Sequence, residues 1–180
     1  MSTGGVLPKD TERLQFRWWT PEDEPLAVAL WGDPRVTALI DARPRLELDA
    51  VRERLQRELT CAAQNGYQYW LLFLRRTGEH VGCCGLKPRL PSQSVLELGF
   101  HLRPEHWGKG YATEAGRAVV THAFGHLGAA SLFAGHHPDN AASGGALLKL
   151  GFRRTGEELF PPTGLIHPAY RLEASSARVA

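Results

Sequence analysis

The sequence predicts a mixed α/β fold built on one mostly antiparallel sheet, and three observations lead there. Aromatic and aliphatic runs that read as strands follow one another across short turns, as antiparallel neighbours do. Other stretches carry apolar residues at spacings of three and four, the stripe of a helix packed on a sheet. One strand runs through a glycine-rich turn directly into a helix. Counting these segments gives about seven strands and about four helices.

The elements follow in order. Arg13–Thr20 (RLQFRWWT) reads as a first strand. Thr20-Pro21-Glu22-Asp23 then reads as a helix start, with a capping hydroxyl, a proline suited to the first turn and acids at the positive helix end. Gly32-Asp33-Pro34 breaks that helix, and Arg35–Arg45 is irregular. Leu48, Val51, Leu55, Leu59 and Ala62 form one apolar stripe, so a second helix runs to Asn65-Gly66. Tyr67–Arg75 and His80–Leu86 are strands joined by a turn at Thr77-Gly78-Glu79. A loop with Pro88 and Pro91 leads to a strand at Ser94–Leu102. A helix from about Gly110 to Leu127 presents Ala112, Ala115, Val119 and Ala123 on one face. Ser131–His137 is a strand and Asp139–Leu150 a helix, which Gly151 ends as a C′ residue. Phe152–Leu159 and Leu165–Glu173 close the sheet.

The chain has 180 residues, about one ordinary domain, and its 43% hydrophobic content is enough for a core without disulfides or metal. We expect a single domain over residues 12–174, with flexible tails at 1–11 and 175–180. A net charge of +2 with well-mixed signs argues against a nucleic-acid or membrane partner. The three cysteines lack metal spacing, and the adjacent Cys83 and Cys84 are poorly placed for an unstrained disulfide, so free thiols and no metal site are expected. There is no signal-peptide pattern at the N-terminus and no apolar run of the roughly 20 residues that span a bilayer, so a cytoplasmic protein is expected.

Chemistry concentrates at Trp107-Gly108-Lys109-Gly110-Tyr111-Ala112-Thr113. Glycines let backbone N–H groups approach a ligand closely, and a new helix offers unpaired N–H groups at its positive end, which together suit a phosphate. The segment is not a Walker loop, which needs GxxxxGK[ST]. Nor is it a dinucleotide fingerprint, because Thr113 stands at the third glycine position. On the glycines alone, an anion site and a tight structural turn remain equal alternatives.

Two further stretches separate them. LGFHLRPEHWGKGYATEA, followed at a distance by PDNAAS and KLGF, closely resembles the GCN5-related N-acetyltransferase (GNAT) superfamily. Within it, the chain looks like the branch that acetylates N-terminal amines of ribosomal proteins, the RimJ/RimL-like branch. The resemblance extends in element order from Arg13 to Glu173. It implies acetyl-CoA as cosubstrate, a strand pair splayed apart at the cofactor cleft, and transfer by direct attack of a primary amine in a ternary complex. By resemblance, Trp107, Gly108, Lys109, Gly110, Tyr111, Ala112 and Thr113 surround the CoA pyrophosphate. Phe100, His101 and Leu102 offer main-chain groups to the pantetheine arm and to the oxyanion, and Asn140 and Ser143 also reach that arm. The Lys109 side chain either adds charge or is merely solvated.

Acetyl transfer needs a neutral amine, donors for the oxyanion and a proton for the departing thiolate. Glu97 is the candidate base: apolar neighbours raise its pKa, and period-two alternation puts it on one face with Val95, Gly99 and His101. The alternative is an exposed carboxylate on a half-buried sheet. An α-amine, with a reference pKa of about 7.7–8.0 against about 10.4 for lysine, needs little base help. The tyrosine that many superfamily members use as acid falls at Leu147, so that role is vacant, and Ser143 is the candidate to hydrogen-bond the sulfur. Ser143 can equally bond its own helix, and Asn140 can equally cap it. Gly144-Gly145 departs from the branch, which commonly has arginine at the second position; either the helix opens there or something packs on its backbone. The His136-His137 pair lacks further ligands for a metal but suits a contact with the acceptor.

The acceptor pocket is expected from Trp31–Arg45, the Tyr67–Trp70 edge and Gly156–His167, including Trp31, Arg35, Asp41, Arg43, Glu157, Glu158 and His167. That mixture names no substrate. A peptide N-terminus, a small-molecule amine and a CoA-binding module with little catalysis are the three readings, and a monomer and a homodimer fit equally.

Overall fold

A computed structural model describes residues 5–177; residues 1–4 and 178–180 of the expected tails lie outside it. Seven strands form one sheet in the order β1-β2-β3-β4-β5-β7-β6. They are β1 (Leu14–Arg17), β2 (Tyr69–Leu74), β3 (His80–Leu90), β4 (Val95–Leu102), β5 (Ser131–Gly135), β6 (Arg153–Phe160) and β7 (Leu165–Glu173). Every neighbouring pair is antiparallel except β4 and β5. The helices are α1 (Glu24–Trp31), α2 (Pro34–Thr37), α3 (Leu48–Asn65), α4 (Tyr111–Gly125), α5 (Ala141–Lys149) and α6 (Ala174–Ala177). The mixed, mostly antiparallel fold expected from the sequence is the one observed.

Local chemistry fixes the element ends. The Thr20 N–H donates to Asp23 Oδ2 at 2.8 Å, opening the short 3-10 turn that precedes α1. Gly66 closes α3 with φ of 74°, the left-handed conformation that a Cβ disfavours. The α3 stripe differs from expectation at both chemistry and position: Val51, Leu55 and Ala62 are buried, but Leu48 in the first turn is exposed, and the charged Glu58 is buried among them. Its Oε2 accepts the Tyr69 N–H at 3.0 Å, which offsets the cost of burial.

Three boundaries move. β1 is confined to four residues and β5 stops at Gly135 rather than His137. β3 continues past Leu86 to Leu90, through Pro88, where a loop was expected. The Leu86 N–H donates to Gln68 just before β2 begins, so Pro88 turns its missing N–H to the same side, beyond the end of β2. The other side of β3 keeps pairing with β4 through Pro88↔Leu96 and, after a register shift, to Leu90↔Val95.

Residues 5–11 are not a loose tail. Pro8 is buried and Leu7 packs on the core, Asp10 accepts the Phe16 N–H at 3.0 Å, and Thr11 Oγ1 donates to Glu114 at 2.5 Å. Residues 174–177 continue from β7 as a short helix.

The two faces of the sheet carry separate cores. Trp70, Leu72, Cys84, Leu86 and Leu98 face α4 and α5, joined by Ala115, Val119 and Leu147. Tyr69, Leu71 and Cys83 face α1 and α3, joined by Trp19, Trp31, Val51 and Leu55. Cys83 and Cys84 therefore point to opposite faces, and both are free thiols. α4 and α5 approach closely because Gly116 has no side chain: a Cβ there would lie 2.6 Å from Leu150 Cδ1. Among the described residues no helix is long and apolar enough to cross a membrane.

Two buried histidines tie stability to pH. Burial lowers the pKa of His80 and of His122 from 6.5 to about 4. Between those values the unfolded chain binds the proton and the folded chain does not, so stability is full above pH 6.5 and falls as pH drops toward 4. Urea unfolding should give a clearly lower midpoint at pH 5 than at pH 7, with at most about 1.4 kcal/mol per pH unit from each histidine. His122→Phe should flatten that slope; an unchanged slope would show that His122 titrates as in the unfolded chain.

Candidate active site

The site begins where β4 and β5 part. Only Val95↔Ser131, Leu96↔Leu132 and Glu97↔Phe133 are paired; beyond Glu97 the strands separate. β4 continues along β3 to Leu102, and β5 continues along β7 to Gly135. The Ser94 carbonyl accepts a bond from the β5 side, and the Arg103 N–H donates to Val81 of β3. Alternate main-chain groups of a strand point the same way, so those of Leu98, Phe100 and Leu102 face the gap. The Leu102 carbonyl is already taken, accepting from the Trp107 indole N–H at 2.8 Å. Leu98 and Phe100 thus present main-chain donors and acceptors to the gap.

His101 does not join them. Its main chain faces β3 opposite Cys83, because it lies one residue out of phase with Phe100. Its ring lies on the α3 face, where the Trp31 indole N–H donates to Nδ1 at 3.2 Å. Burial holds its pKa well below 6.5, so the ring is neutral with Nδ1 as acceptor and its proton on Nε2.

The glycine turn continues from β4. Gly108 and Gly110 have φ of 72° and 80°, and Gly110 precedes the first residue of α4. Both need the left-handed conformation, so the residue type follows from the backbone path. The first bond into the helix is Glu114 N–H to the Gly110 carbonyl, which leaves the N–H groups of Tyr111, Ala112 and Thr113 free of helical partners. Gly108, Gly110, Tyr111, Ala112 and Thr113 border one continuous cavity of about 1030 Å³. Lys109 is exposed and its side chain lies outside that wall; its carbonyl accepts from Arg13 Nη1 at 3.2 Å. Arg13 also pairs with Glu114 at 2.6 Å and stacks 4.6 Å over the Tyr111 ring, so β1 braces the turn from behind.

The N-terminus of α5 forms the opposite wall. Asn140 Oδ1 accepts the Ser143 N–H at 3.2 Å, so the capping alternative holds for that oxygen, while its amide NH₂ has no partner among the described residues. Ser143 Oγ makes no protein hydrogen bond among them either, and both residues border the cavity. Leu147 is buried in the core and also reaches the cavity wall, with no proton to give. Gly144 has a packing reason: a Cβ would meet His136 Nε2 at 2.8 Å. Gly145 has open space where a side chain would be, beside the cavity.

The α3 face completes the site. Glu97, Gly99 and His101 share it, as alternation requires. Tyr69 reaches across from β2, and its hydroxyl occupies the place of the missing Gly99 side chain, 1.8 Å from where a Cβ would stand. Glu97 is half-buried; burial raises its pKa, against the pull of Lys87 and of Arg89, whose Nη1 stands 3.7 Å from Oε2. Of the residues expected in the acceptor pocket, Asp41, Arg43, Glu158, His167 and Tyr69 border the cavity. Trp31 is fully buried behind it, Arg35 pairs with Asp33 and Glu105, and Glu157 pairs with Arg154 outside it. His136 and His137 border it too; His137 lies 5.7 Å from the His167 ring, and His136 also bonds the His137 carbonyl and Tyr170. Arg54, Glu58 and Lys87 were missed. The signal available for Lys87 was a charge directly continuing the run His80–Leu86, which is buried throughout.

Residues 13–153 match the acetyltransferase (GNAT) domain family. An uncharacterized N-acetyltransferase, p20 of Bacillus licheniformis, is 28% identical over 146 residues, covering 81% of this chain and 82% of that protein. The crystal structure of an acetyltransferase from Agrobacterium tumefaciens aligns with a TM-score of 0.79 at 25% identity, over 94% of this chain and 95% of that one. The CoA complex of RimL, a ribosomal L7/L12 alpha-N-protein acetyltransferase, aligns with a TM-score of 0.77 at 18% identity, over 93% and 98%. The family match spans most of the chain, and the chain belongs to the GNAT acetyltransferases.

Proposed function

We propose that the chain is an acetyl-CoA-dependent N-acetyltransferase in which residues 12–174 act as one catalytic domain, moving an acetyl group to a primary amine by direct attack in a ternary complex. One observation carries the reading: the gap between β4 and β5 opens at one end on the N-terminus of α4 and at the other on the Glu97 carboxylate, within a single cavity. The free N–H groups of Tyr111, Ala112 and Thr113 suit the pyrophosphate. The main-chain groups of Leu98 and Phe100 suit the amides of the pantetheine arm, as an added strand would. The RimJ/RimL-like branch, with a peptide α-amine as acceptor, is our reading within the family. It rests on the LGFHLRPEHWGKGYATEA and PDNAAS motifs and on fold likeness to RimL.

Each proton then has a place. Glu97 takes the proton from the attacking amine as the new N–C bond forms, its raised pKa bringing it nearer to that task. A main-chain N–H of β4 facing the gap stabilises the carbonyl oxygen as negative charge develops there. When the C–S bond breaks, the electron pair leaves on sulfur. Ser143 Oγ and the Asn140 amide are the free donors on the α5 wall, and the final proton comes through one of them or from water. Leu147 supplies none.

Acetyl-CoA turnover, followed by thiol release with peptide, polyamine and aminoglycoside acceptors, tests the assignment. Release only with small amines would overturn the peptide reading, and CoA binding without any turnover would overturn the enzyme. Glu97→Gln should lower kcat/KM at neutral pH by about 10²-fold. The loss should shrink as pH rises through the amine pKa, since hydroxide and a neutral amine then replace the base. An unchanged rate and pH profile would remove Glu97 from the mechanism.

At the turn, Asp and Asn both tolerate the left-handed backbone and differ mainly in charge. Gly110→Asp should therefore weaken CoA binding at least about tenfold more than Gly110→Asn, because a carboxylate at the helix N-terminus repels the pyrophosphate. Equal affinities in calorimetry would take the pyrophosphate away from Gly110.

A further inference from the structure

The α3 wall of the cavity carries two cationic side chains, Lys87 and Arg54, that acetyl transfer does not use. Most charges there are matched. Arg43 is held by Asp41 at 2.8 Å and Arg89 by Glu158 and more distantly by Glu97. The Glu58 carboxylate accepts the neutral Tyr69 N–H and attracts both Lys87 and Arg54 at longer range, bonding neither. Two cations form no ion pair within 4.0 Å among the described residues. Lys87 has no carboxylate within 4.0 Å among the described residues, and its Nζ rests 4.4 Å from the centre of the Tyr69 ring. Arg54 lies over the Trp31 ring at 5.1 Å, and its buried Nε meets no hydrogen-bond partner. Both side chains border the cavity.

Two like charges near each other, each against an aromatic ring and with Glu58 and Glu97 only at longer range, recover part of their lost hydration. Burial lowers the Lys87 pKa, Glu58 and Glu97 raise it, and Arg54 lowers it further, so the two cations feel each other. An anion between them would relieve both. Lys87 stands directly opposite Glu97 on the β3–β4 ladder, and Cβ atoms in such a pair are about 5 Å apart on one face. An amine delivered to Glu97 therefore lies beside Lys87.

We infer that the acceptor is an amine bearing a carboxylate a few bonds away, which Lys87 and Arg54 hold while the amine faces Glu97. This rests on the acetyl-transfer reading of the cavity. The carboxylate can be that of a free amino acid or the side chain of an acidic first residue of a peptide, and the chemistry at Lys87 is the same. A polyamine would bring further positive charge beside two cations that already repel each other.

The test compares matched acceptors at saturating acetyl-CoA: β-alanine with β-alaninamide, the peptide Asp-Ala-Ala with Asn-Ala-Ala, and spermidine beside them. The carboxylate member of at least one pair should have the higher kcat/KM by about tenfold or more, and which pair responds tells the two sources apart. Lys87→Glu should reverse that ranking through KM while CoA affinity stays the same. A second arm needs no turnover: glutarate should bind the CoA-loaded protein in calorimetry, and Lys87→Met, which keeps the length of the side chain, should abolish that binding. Equal kcat/KM within both pairs, or a ranking that Lys87→Glu leaves unchanged, overturns the inference. Glutarate binding that Lys87→Met abolishes, with no amine acetylated, would sink the acetyl-transfer reading and leave the anion site standing. Neither binding nor turnover would sink both.

Discussion

The arrangement depends on a strand junction that stops after three residue pairs. β4 and β5 each keep one partner over their remaining length and lose the other. Backbone N–H and C=O groups turned inward without partners are costly, and a sheet interrupted at its middle must satisfy them from elsewhere. The Trp107 indole satisfies the Leu102 carbonyl at the far end. The groups of Leu98 and Phe100 face the gap with no strand partner on that side. The helix that follows the strand aims its open N-terminus along the same gap, because Gly108 and Gly110 let the chain reverse in a few residues.

The alternation of β4 then divides the labour. Even-numbered residues from Leu98 to Leu102 turn their main chains to the gap, and the odd-numbered Glu97, Gly99 and His101 turn their side chains to the α3 face. Gly99 connects the two sides: without its Cβ, Tyr69 can lay its hydroxyl on the strand between Glu97 and His101. Tyr69 is itself held by its main chain, through Trp19 Nε1 on its carbonyl at 2.7 Å and Glu58 on its N–H. Trp19 stacks on Trp31, with ring centres 4.9 Å apart, and Trp31 fixes His101. The second core is thus the mounting of the α3 wall of the cavity as well as a source of stability.

What the sequence made legible was periodic or conformational. The α3 and α4 stripes, the helix end at Gly66, the glycine turn and the shared face of Glu97 and His101 all depend on a few neighbouring residues. The parting of β4 from β5 came from family resemblance, since nothing within either strand encodes where its partner leaves. Lys87 opposite Glu97 depends on β3–β4 register, and β3 had been ended too early at Leu86 because Pro88 reads as a breaker until the sheet edge beside it is known. His101 was grouped with Phe100 and Leu102 by resemblance, although adjacent strand residues point their main chains to opposite sides. The phenol of Tyr69 over Gly99 joins residues 30 positions apart, and no local pattern announces it. Gly144 was rightly suspect within a helix, and its reason, the ring of His136, lies on another element.

Arg13 has a consequence of a different kind. It sits beside β1, an edge strand with one neighbour, yet it grips the Lys109 carbonyl, the Glu114 carboxylate and the Tyr111 ring. Edge strands open locally at lower free energy than the middle of a sheet. Any such fraying would release the clamp on the turn, so the affinity of any ligand held by the turn is thermodynamically linked to the seating of β1. Linkage is reciprocal: a ligand that requires the clamped turn also slows the opening of β1. Amide hydrogens of the first strand, remote from the reacting atoms, would then exchange more slowly when the cofactor is bound.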